Sequence, residues 1–327
     1  MPTAAAVAKT APAISAHGLH KSYGDKAVLN GIDLSIPEGE VFALLGPNGA
    51  GKTTTVEILS TLVAPDAGQA RVGGHDLAAR PEGVRSVIGV TGQFAAVDSL
   101  LTAEENLLLM ADLRHLPRRQ GRRRAAELLE RFELREAARQ AVSTFSGGMR
   151  RKLDLAMTLV GTPRIIFLDE PTTGLDPRSR RTMWEIIRGL VADDGVTVFL
   201  TTQYLEEADR LADRVAVLDR GRLVAEGTPE ELKRLVPGGH IRLRFAGSAE
   251  LDTAAGHFGA TAVTDPEELT LRVPCDGGIP ALRTVLDVLD GAAVHAESLT
   301  VHTPDLDDVF LTLTGHGTSD TTTETVR

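Results

Sequence analysis

Val41-Phe42-Ala43-Leu44-Leu45-Gly46-Pro47-Asn48-Gly49-Ala50-Gly51-Lys52-Thr53-Thr54 is the stretch whose reading decides the fold. The apolar residues 41–45 read as a short buried strand, the glycine-rich run as a tight loop, and residues 54–63 as a helix. Strand, glycine loop with Lys-Thr, and helix together make a phosphate loop. A plain glycine turn before a helix is the alternative, and spacing and context together weigh against it. In such a loop the glycines let successive backbone N–H groups face a β-phosphate. Lys52 would neutralise the β- and γ-phosphates, and the Thr53 hydroxyl would ligate Mg²⁺. The candidate nucleotide-binding residues are therefore Gly46, Pro47, Asn48, Gly49, Ala50, Gly51, Lys52, Thr53 and Thr54.

Further along, the apolar stretch 164–168 reads as a second buried strand, and it runs into Asp169-Glu170. Ligands of α/β sheets gather at the C-terminal ends of the strands. Asp169 is placed to hold Mg²⁺, directly or through water, and Glu170 to orient and polarise an attacking water. Adjacent carboxylates opening a loop before Pro171 are the alternative. About twenty residues upstream, Phe145-Ser146-Gly147-Gly148-Met149 opens a predicted helix. A hydroxyl and two small residues at a helix start make a second anion-binding terminus. Two phosphate sites on one chain suggest a dimer that shares nucleotides.

Composition bounds the class, and a single cysteine fits a reducing cytosol. The 327 residues are 42% hydrophobic, enough for one large domain and a smaller one. The 35 basic and 45 acidic residues give a net charge of −10, which argues against sequence-independent nucleic-acid binding. A single cysteine, Cys275, excludes an internal disulfide and reads as core filler. No apolar run approaches the roughly 18–20 residues of a membrane span.

The remaining pattern organises around the phosphate loop. Residues 14–23 and 27–36 alternate as an antiparallel strand pair, while 101–160 have helical spacing and form an all-helical insert. Residues 180–192 and 204–212 read as helices, 197–200 as a third strand, and 215–218 with 223–226 as a closing hairpin. Strands alternating with helices indicate a mainly parallel sheet. After Pro237-Gly238-Gly239 the character shifts to a small α+β appendage, with strand patterns near 241–245, 269–273 and 298–302 and helical ones at 249–258 and 279–289. The expected organisation is a flexible tail at 1–13, the main domain at 14–236 with its helical subdomain at about 98–162, the appendage at 240–314, and a flexible tail at 315–327. The basic run Arg118-Arg119-Gln120-Gly121-Arg122-Arg123-Arg124 reads as a solvated helix start, with contact to an anionic lipid surface as the other option.

With these residues assembled, the chain resembles an ATP-binding-cassette (ABC) ATPase over about residues 15–235. The matching elements stand in the family's order: Gly46 to Thr53, Gln93, Ser146-Gly147-Gly148-Met149, Asp169-Glu170, Gly174-Leu175-Asp176 and Thr201-Thr202-Gln203. The resemblance implies a phosphate-loop NTPase fold of the ABC nucleotide-binding type. It also implies ATP with Mg²⁺ as cofactors, and a head-to-tail homodimer in which each ATP lies between one subunit's phosphate loop and the other's Ser-Gly-Gly segment. Gln93 would touch Mg²⁺ and the attacking water, and Asp176 would lie across the dimer seam. Tyr23 falls where the family carries an aromatic that stacks on adenine, and strand-end packing is the alternative for it.

Two positions depart from the common family pattern. Met149 stands for a more usual glutamine, and Gln203 for a histidine thought to bond the γ-phosphate. Glutamine keeps a donor but cannot titrate near neutral pH, so hydrolysis is expected to be slow or differently tuned. Residues 90–98, 201–209 and 303–311 resemble the daunorubicin/doxorubicin-resistance ATP-binding proteins of actinobacterial drug exporters. That resemblance implies an ATP-hydrolysing subunit at the cytoplasmic face of the membrane. Its partner would be an integral membrane permease encoded separately, with no nucleic acid expected. A soluble cassette acting in regulation, or on nucleic acid or ribosomes, is the alternative.

Overall fold

A computed structural model describes residues 11–236, 239–259, 261–275 and 278–315. Most of the expected tails at 1–13 and 315–327, and Pro237-Gly238 of the expected linker, lie outside the described residues. The chain forms two compact units that divide between Pro229 and Glu230.

The first unit opens with β1 (Ile14–Tyr23) and β2 (Lys26–Ile36), then β3 (Val41–Leu45), α1 (Lys52–Leu59), β4 (Ala67–Val72), β5 (His75–Asp76), α2 (Pro81–Val87) and β6 (Ile88–Thr91). The helical insert carries α3 (Ala103–Leu113), α4 (Arg118–Arg131) and α5 (Gly147–Thr158). The chain then returns through β7 (Ile165–Asp169), α6 (Pro177–Asp194), β8 (Thr197–Thr202), α7 (Leu205–Leu211), β9 (Arg214–Asp219) and β10 (Arg222–Gly227). Its main sheet has the order β10-β9-β3-β8-β7-β6, parallel throughout except for the β9-β10 hairpin. A smaller antiparallel sheet, β2-β1-β4-β5, lies against it.

The central strands are mostly apolar because both faces of a parallel sheet are covered, with polar residues at the ends of β7 and β8. Every residue of β3 and β7 is buried. Phe42, Phe199 and Phe167 stand in register on β3, β8 and β7, with ring centroids 5.5 and 5.6 Å apart. Such ring pairs add about 0.5–1.5 kcal/mol each beyond their area. Ile14, Leu19, Ile32, Leu34 and Ile36 of the small sheet complete this core.

Local signals set the helix ends. Thr102 and Glu105 form a capping box at α3. At α6, Asp176 is the N-cap, Pro177 takes the first turn, and Gly195 stops the helix at φ +65°. The helix after the phosphate loop begins at Lys52 and ends at Leu59, earlier than the expected 54–63. Thr61 turns left-handed at φ +68°, and the Leu62 amide donates back to the Glu57 carbonyl at 2.8 Å, which closes the helix. The sequence reading leaves β4, β5, α2 and β6 unassigned. Within the basic run, Arg118, Arg119, Arg122 and Arg123 are exposed, whereas Arg124 donates to the Leu159 carbonyl at 3.0 Å.

In the second unit, α8 (Pro229–Arg234) carries the division. It is followed by β11 (His240–Arg244), α9 (Ser248–Phe258), β12 (Val263–Asp265), β13 (Thr270–Pro274), α10 (Ile279–Gly291), β14 (Ser298–His302) and α11 (Leu306–Thr314). The sheet order β12-β13-β11-β14, antiparallel at every pair, makes this a βαββαβ unit of the ferredoxin-like kind with α8 before it and α11 after it. Ile241 and Leu243 of β11 and Leu271 of β13 pack with Leu251 of α9 and Val285 and Leu289 of α10 to form its own core, and Cys275 lies half-buried against that core.

Candidate functional site

The C-terminal ends of β3, β6, β7 and β8 lie at one edge of the main sheet because these strands run parallel. Each end hands over to a segment singled out by the sequence: the phosphate loop, Gly92-Gln93, Asp169-Glu170 and Gln203. Within the loop, Gly51 sits at φ +111°, and a Cβ there would come 2.6 Å from Leu29 Cδ2 and 2.9 Å from the Val28 carbonyl oxygen. Only glycine meets both demands. Gly51 is also the N-cap of α1 and offers it no side-chain acceptor, so the first amides of that helix are left to an anion or water.

Lys52 folds back over the loop. Its Nζ donates to the Gly46 carbonyl at 2.7 Å and the Pro47 carbonyl at 3.2 Å, and lies 3.5 Å from Glu170 Oε1. Burial pushes the Lys52 ammonium below its ordinary pKa, with the charge of Glu170 opposing that shift. The Thr53 hydroxyl is 3.4 Å from Asp169 Oδ1.

Both carboxylates are buried, and Thr201 of β8 organises them. Its hydroxyl donates to Asp169 Oδ1 at 2.5 Å and accepts from the Glu170 amide at 3.1 Å. Glu170 has φ +48°, a left-handed conformation uncommon outside glycine. That turn reverses the chain after β7, while Glu170 Oε2 accepts from the Thr173 hydroxyl at 3.2 Å. A strained backbone at such a point is a usual companion of function.

A cavity of about 370 Å³ gathers Tyr23, Asn48, Gly49, Gly51, Lys52, Thr53, Thr54, Gln93 and Glu170, joined by Lys26 and Val28. Gly46, Pro47 and Ala50 complete the loop. Tyr23 is about half exposed at the end of β1, with Lys21 Nζ 5.6 Å from its ring centre.

Ser146, Gly147, Gly148 and Asp176 do not line that cavity. Ser146 is the N-cap of α5, its hydroxyl accepting from the Met149 amide at 3.2 Å. A Cβ at Gly148 would stand 2.7 Å from Ser179 Oγ, so α5 and α6 approach closely there. Asp176 accepts from the Ser179 hydroxyl and from the amides of Arg178 and Ser179. Those bonds, the Ser179 hydroxyl first, hold its carboxyl below the usual range. Gln203 is half-buried just beyond β8 and does not line the cavity either.

Sequence reasoning gave no role to Thr201 and Glu207, although both lie in stretches matched to the family, and passed over Arg151. Arg151 is buried on α5 and donates to the backbone carbonyls around both Gln93 and Glu170. Glu207 of α7 accepts from the Thr172 hydroxyl at 2.7 Å and from Trp184 Nε1 at 3.0 Å. Burial pushes its carboxyl above the usual range. The spacing of Arg151 and Asp154 on a helix was the one local signal available for the arginine.

Fold and site together define a phosphate-loop nucleotide-binding domain with an inserted helical subdomain. Residues 29–173 match the family model described as ABC transporter. The chain is 50% identical to the daunorubicin resistance ATP-binding protein DrrA2 of Streptomyces coeruleorubidus, over 94% of this chain and 97% of that one. It is 46% identical to the daunorubicin/doxorubicin resistance ATP-binding protein DrrA of Streptomyces peucetius, over 95% of each. Among solved structures, a dimeric ATP-binding cassette in a post-hydrolysis state with ADP and Pi matches 66% of this chain and 98% of its own, with a TM-score of 0.60 and 27% identity. The chain belongs to the ABC transporter family, among its ATP-binding proteins.

Proposed function

We propose that this chain is the ATP-binding and ATP-hydrolysing subunit of an exporter that drives a hydrophobic drug or antibiotic outward through a separately encoded membrane partner. The observation that carries the reading is the convergence of Lys52, Thr53, Gln93 and Glu170 on one cavity at the ends of parallel strands. The loop amides and Lys52 hold the β- and γ-phosphates, and Tyr23 stacks on adenine. The Thr53 hydroxyl and the Asp169 carboxylate, 3.4 Å apart, with Gln93 at the cavity, are oxygen donors suited to a small hard cation. Mg²⁺ held by these residues would supply positive charge against the charge that develops on the phosphates. Glu170, aimed by its left-handed turn, orients and polarises the attacking water. Gln203 offers an amide donor toward the γ-phosphate and brings no titration of its own.

Ser146, Gly147, Gly148 and Asp176 form a second surface apart from the cavity. This separation supports a head-to-tail homodimer in which one subunit's Ser146 segment closes on the other's phosphate loop. Among the described residues no helix is long and apolar enough to cross a membrane. Phe94 and Leu100 are 86% and 89% exposed in the segment after Gln93, and Leu109 and Leu113 are exposed on α3. That apolar surface suits a cytoplasmic segment of the membrane partner, which seats the chain at the cytoplasmic face. The names of the relatives point to a drug as cargo, and the net charge of −10 argues against sequence-independent nucleic-acid binding.

The test is ATP turnover by the full-length chain, alone and co-purified with its membrane partner. Glu170→Gln should abolish hydrolysis and keep ATP binding, and hydrophobic drugs should stimulate the complex. Turnover that survives Glu170→Gln would refute the reading.

A further inference from the structure

Arg151 donates to four backbone carbonyls, those of Gly92, Asp169, Glu170 and Pro171. Its Nη1 donates to the Gly92 carbonyl at 2.7 Å and lies 3.4 Å from Asp154 Oδ2. Nη2 donates to the carbonyls of Asp169 at 3.1 Å and Glu170 at 3.3 Å, and Nε to that of Pro171 at 2.9 Å. One turn further along α5, Asp154 Oδ1 accepts from the Ala96 amide at 3.0 Å. The segment bearing Gln93 is thus pinned at Gly92 and at Ala96 by two side chains of one helix. That helix starts at Ser146.

The chemistry explains why arginine stands here. The left-handed Glu170 turns the carbonyls of 169–171 toward one point, away from the β-ladder that would otherwise pair them. Buried carbonyls without donors cost about 1–3 kcal/mol each. A planar guanidinium presents donors in a fixed fork that can meet several acceptors at once; an ammonium on a flexible stem is a single point of charge. The same guanidinium reaches across to Gly92, so the glutamine segment and the glutamate turn share one anchor.

We propose that Arg151, seated by Asp154, is the positioning residue that holds Gln93 and the Glu170 turn in register and ties both to the helix that begins at Ser146. The inference rests on the ATPase reading above. A shift of α5, whose N-terminus belongs to the opposite nucleotide, is then felt at the chain's own Gln93 and Glu170.

The experiment uses the full-length chain with MgATP. Wild type and Glu170→Gln come first, since a wild type without Glu170-dependent turnover would sink the ATPase reading itself. Arg151→Lys should keep the ATP Kd within about 2-fold and lower kcat by about 100-fold, the scale of a misplacement of about 1 Å. In a Gln93→Ala background the same change should cost about 10-fold, because the share that acts through Gln93 is already lost and only the share through the Glu170 turn remains. Hydrogen exchange should quicken at residues 92–97 and 169–172 and stay unchanged in the phosphate loop. Should Arg151→Lys not be recovered folded, Asp154→Asn takes its place, with a kcat loss of about 10-fold and the same non-additivity expected. Wild-type kcat in the variant, equal losses in both backgrounds, or exchange that quickens uniformly would each overturn the proposal while leaving the ATPase reading intact.

Discussion

Replacing Thr201 with valine removes one hydroxyl from the main sheet and almost nothing else. Valine matches threonine in shape, and the site is fully buried, so the packing of β8 against β3 and β7 survives. Two bonds are lost: the donation to Asp169 Oδ1 at 2.5 Å and the acceptance from the Glu170 amide at 3.1 Å. A bond to a buried carboxylate is worth about 1.5–3 kcal/mol and a neutral one about 0.5–1.5 kcal/mol. The Glu170 amide also donates to the Thr201 carbonyl at 3.1 Å, which softens the second loss. The expected cost is therefore about 2–3 kcal/mol, or about 5–10 °C in Tm for a unit of this size. Thr197→Val is the internal control on the same strand, since Thr197 is equally buried and its hydroxyl only accepts from the Gly39 amide at 2.9 Å. It should cost about 1 kcal/mol. Urea unfolding of both variants gives the comparison, and ATP turnover gives the second readout, expected to fall in Thr201→Val alone. A Thr201→Val cost equal to or below that of Thr197→Val would refute the view that this hydroxyl organises the carboxylates.

Gly51→Ala should destabilise by about 2–4 kcal/mol, from left-handed strain and from overpacking against Leu29 and the Val28 carbonyl; thermal melts check this. Ser146→Ala should remove the cap of α5 at about 1 kcal/mol and cut turnover, while ATP binding measured at concentrations that keep the chain monomeric stays unchanged. Burial raises the Glu40 carboxyl from 4.5 to about 7, with Arg214 opposing. A folded pKa above the unfolded one means that the folded state holds the proton longer, so its contribution is complete below about 4.5, fades as pH rises to about 7 and is flat beyond. The stability of wild type minus that of Glu40→Gln, from urea midpoints across that range, should fall along that course; a value that rises with pH contradicts it.

Most residues that line the cavity were legible in advance from a local pattern, the loop from its glycines and Glu170 from the apolar strand before it, whereas Lys26 and Val28 were not singled out. Gln93 and Tyr23 came from family resemblance, and both stand at the cavity. Thr201 and Glu207, though inside matched stretches, were given no role, and Arg151 was passed over, because nothing local shows what each side chain meets. A threonine in a β-branched strand and an arginine three residues before an aspartate on a helix are ordinary surface patterns until their neighbours are known. The strands β4, β5 and β6 were missed for a related reason. Ala67–Val72 alternates weakly and belongs to the smaller sheet, where pairing with β1 and β5 supplies what the side chains do not.

By itself the sequence determined the kind of ligand and the order of the parts. Phosphate recognition by a run of backbone amides is a contiguous property, and buried parallel strands announce themselves as unbroken apolar runs. Only the tertiary structure decided which distant side chains meet. Strand order is set by crossovers spanning many residues, so that β3 pairs with β8 and β9, and β7 lies between β8 and β6. The left-handed turn at Glu170, the shared anchor at Arg151 and the βαββαβ order of the second unit all follow from such long-range pairing. At Glu170 a hydroxyl from β8 and a guanidinium from α5 meet the turn, and no window of sequence contains all of those residues.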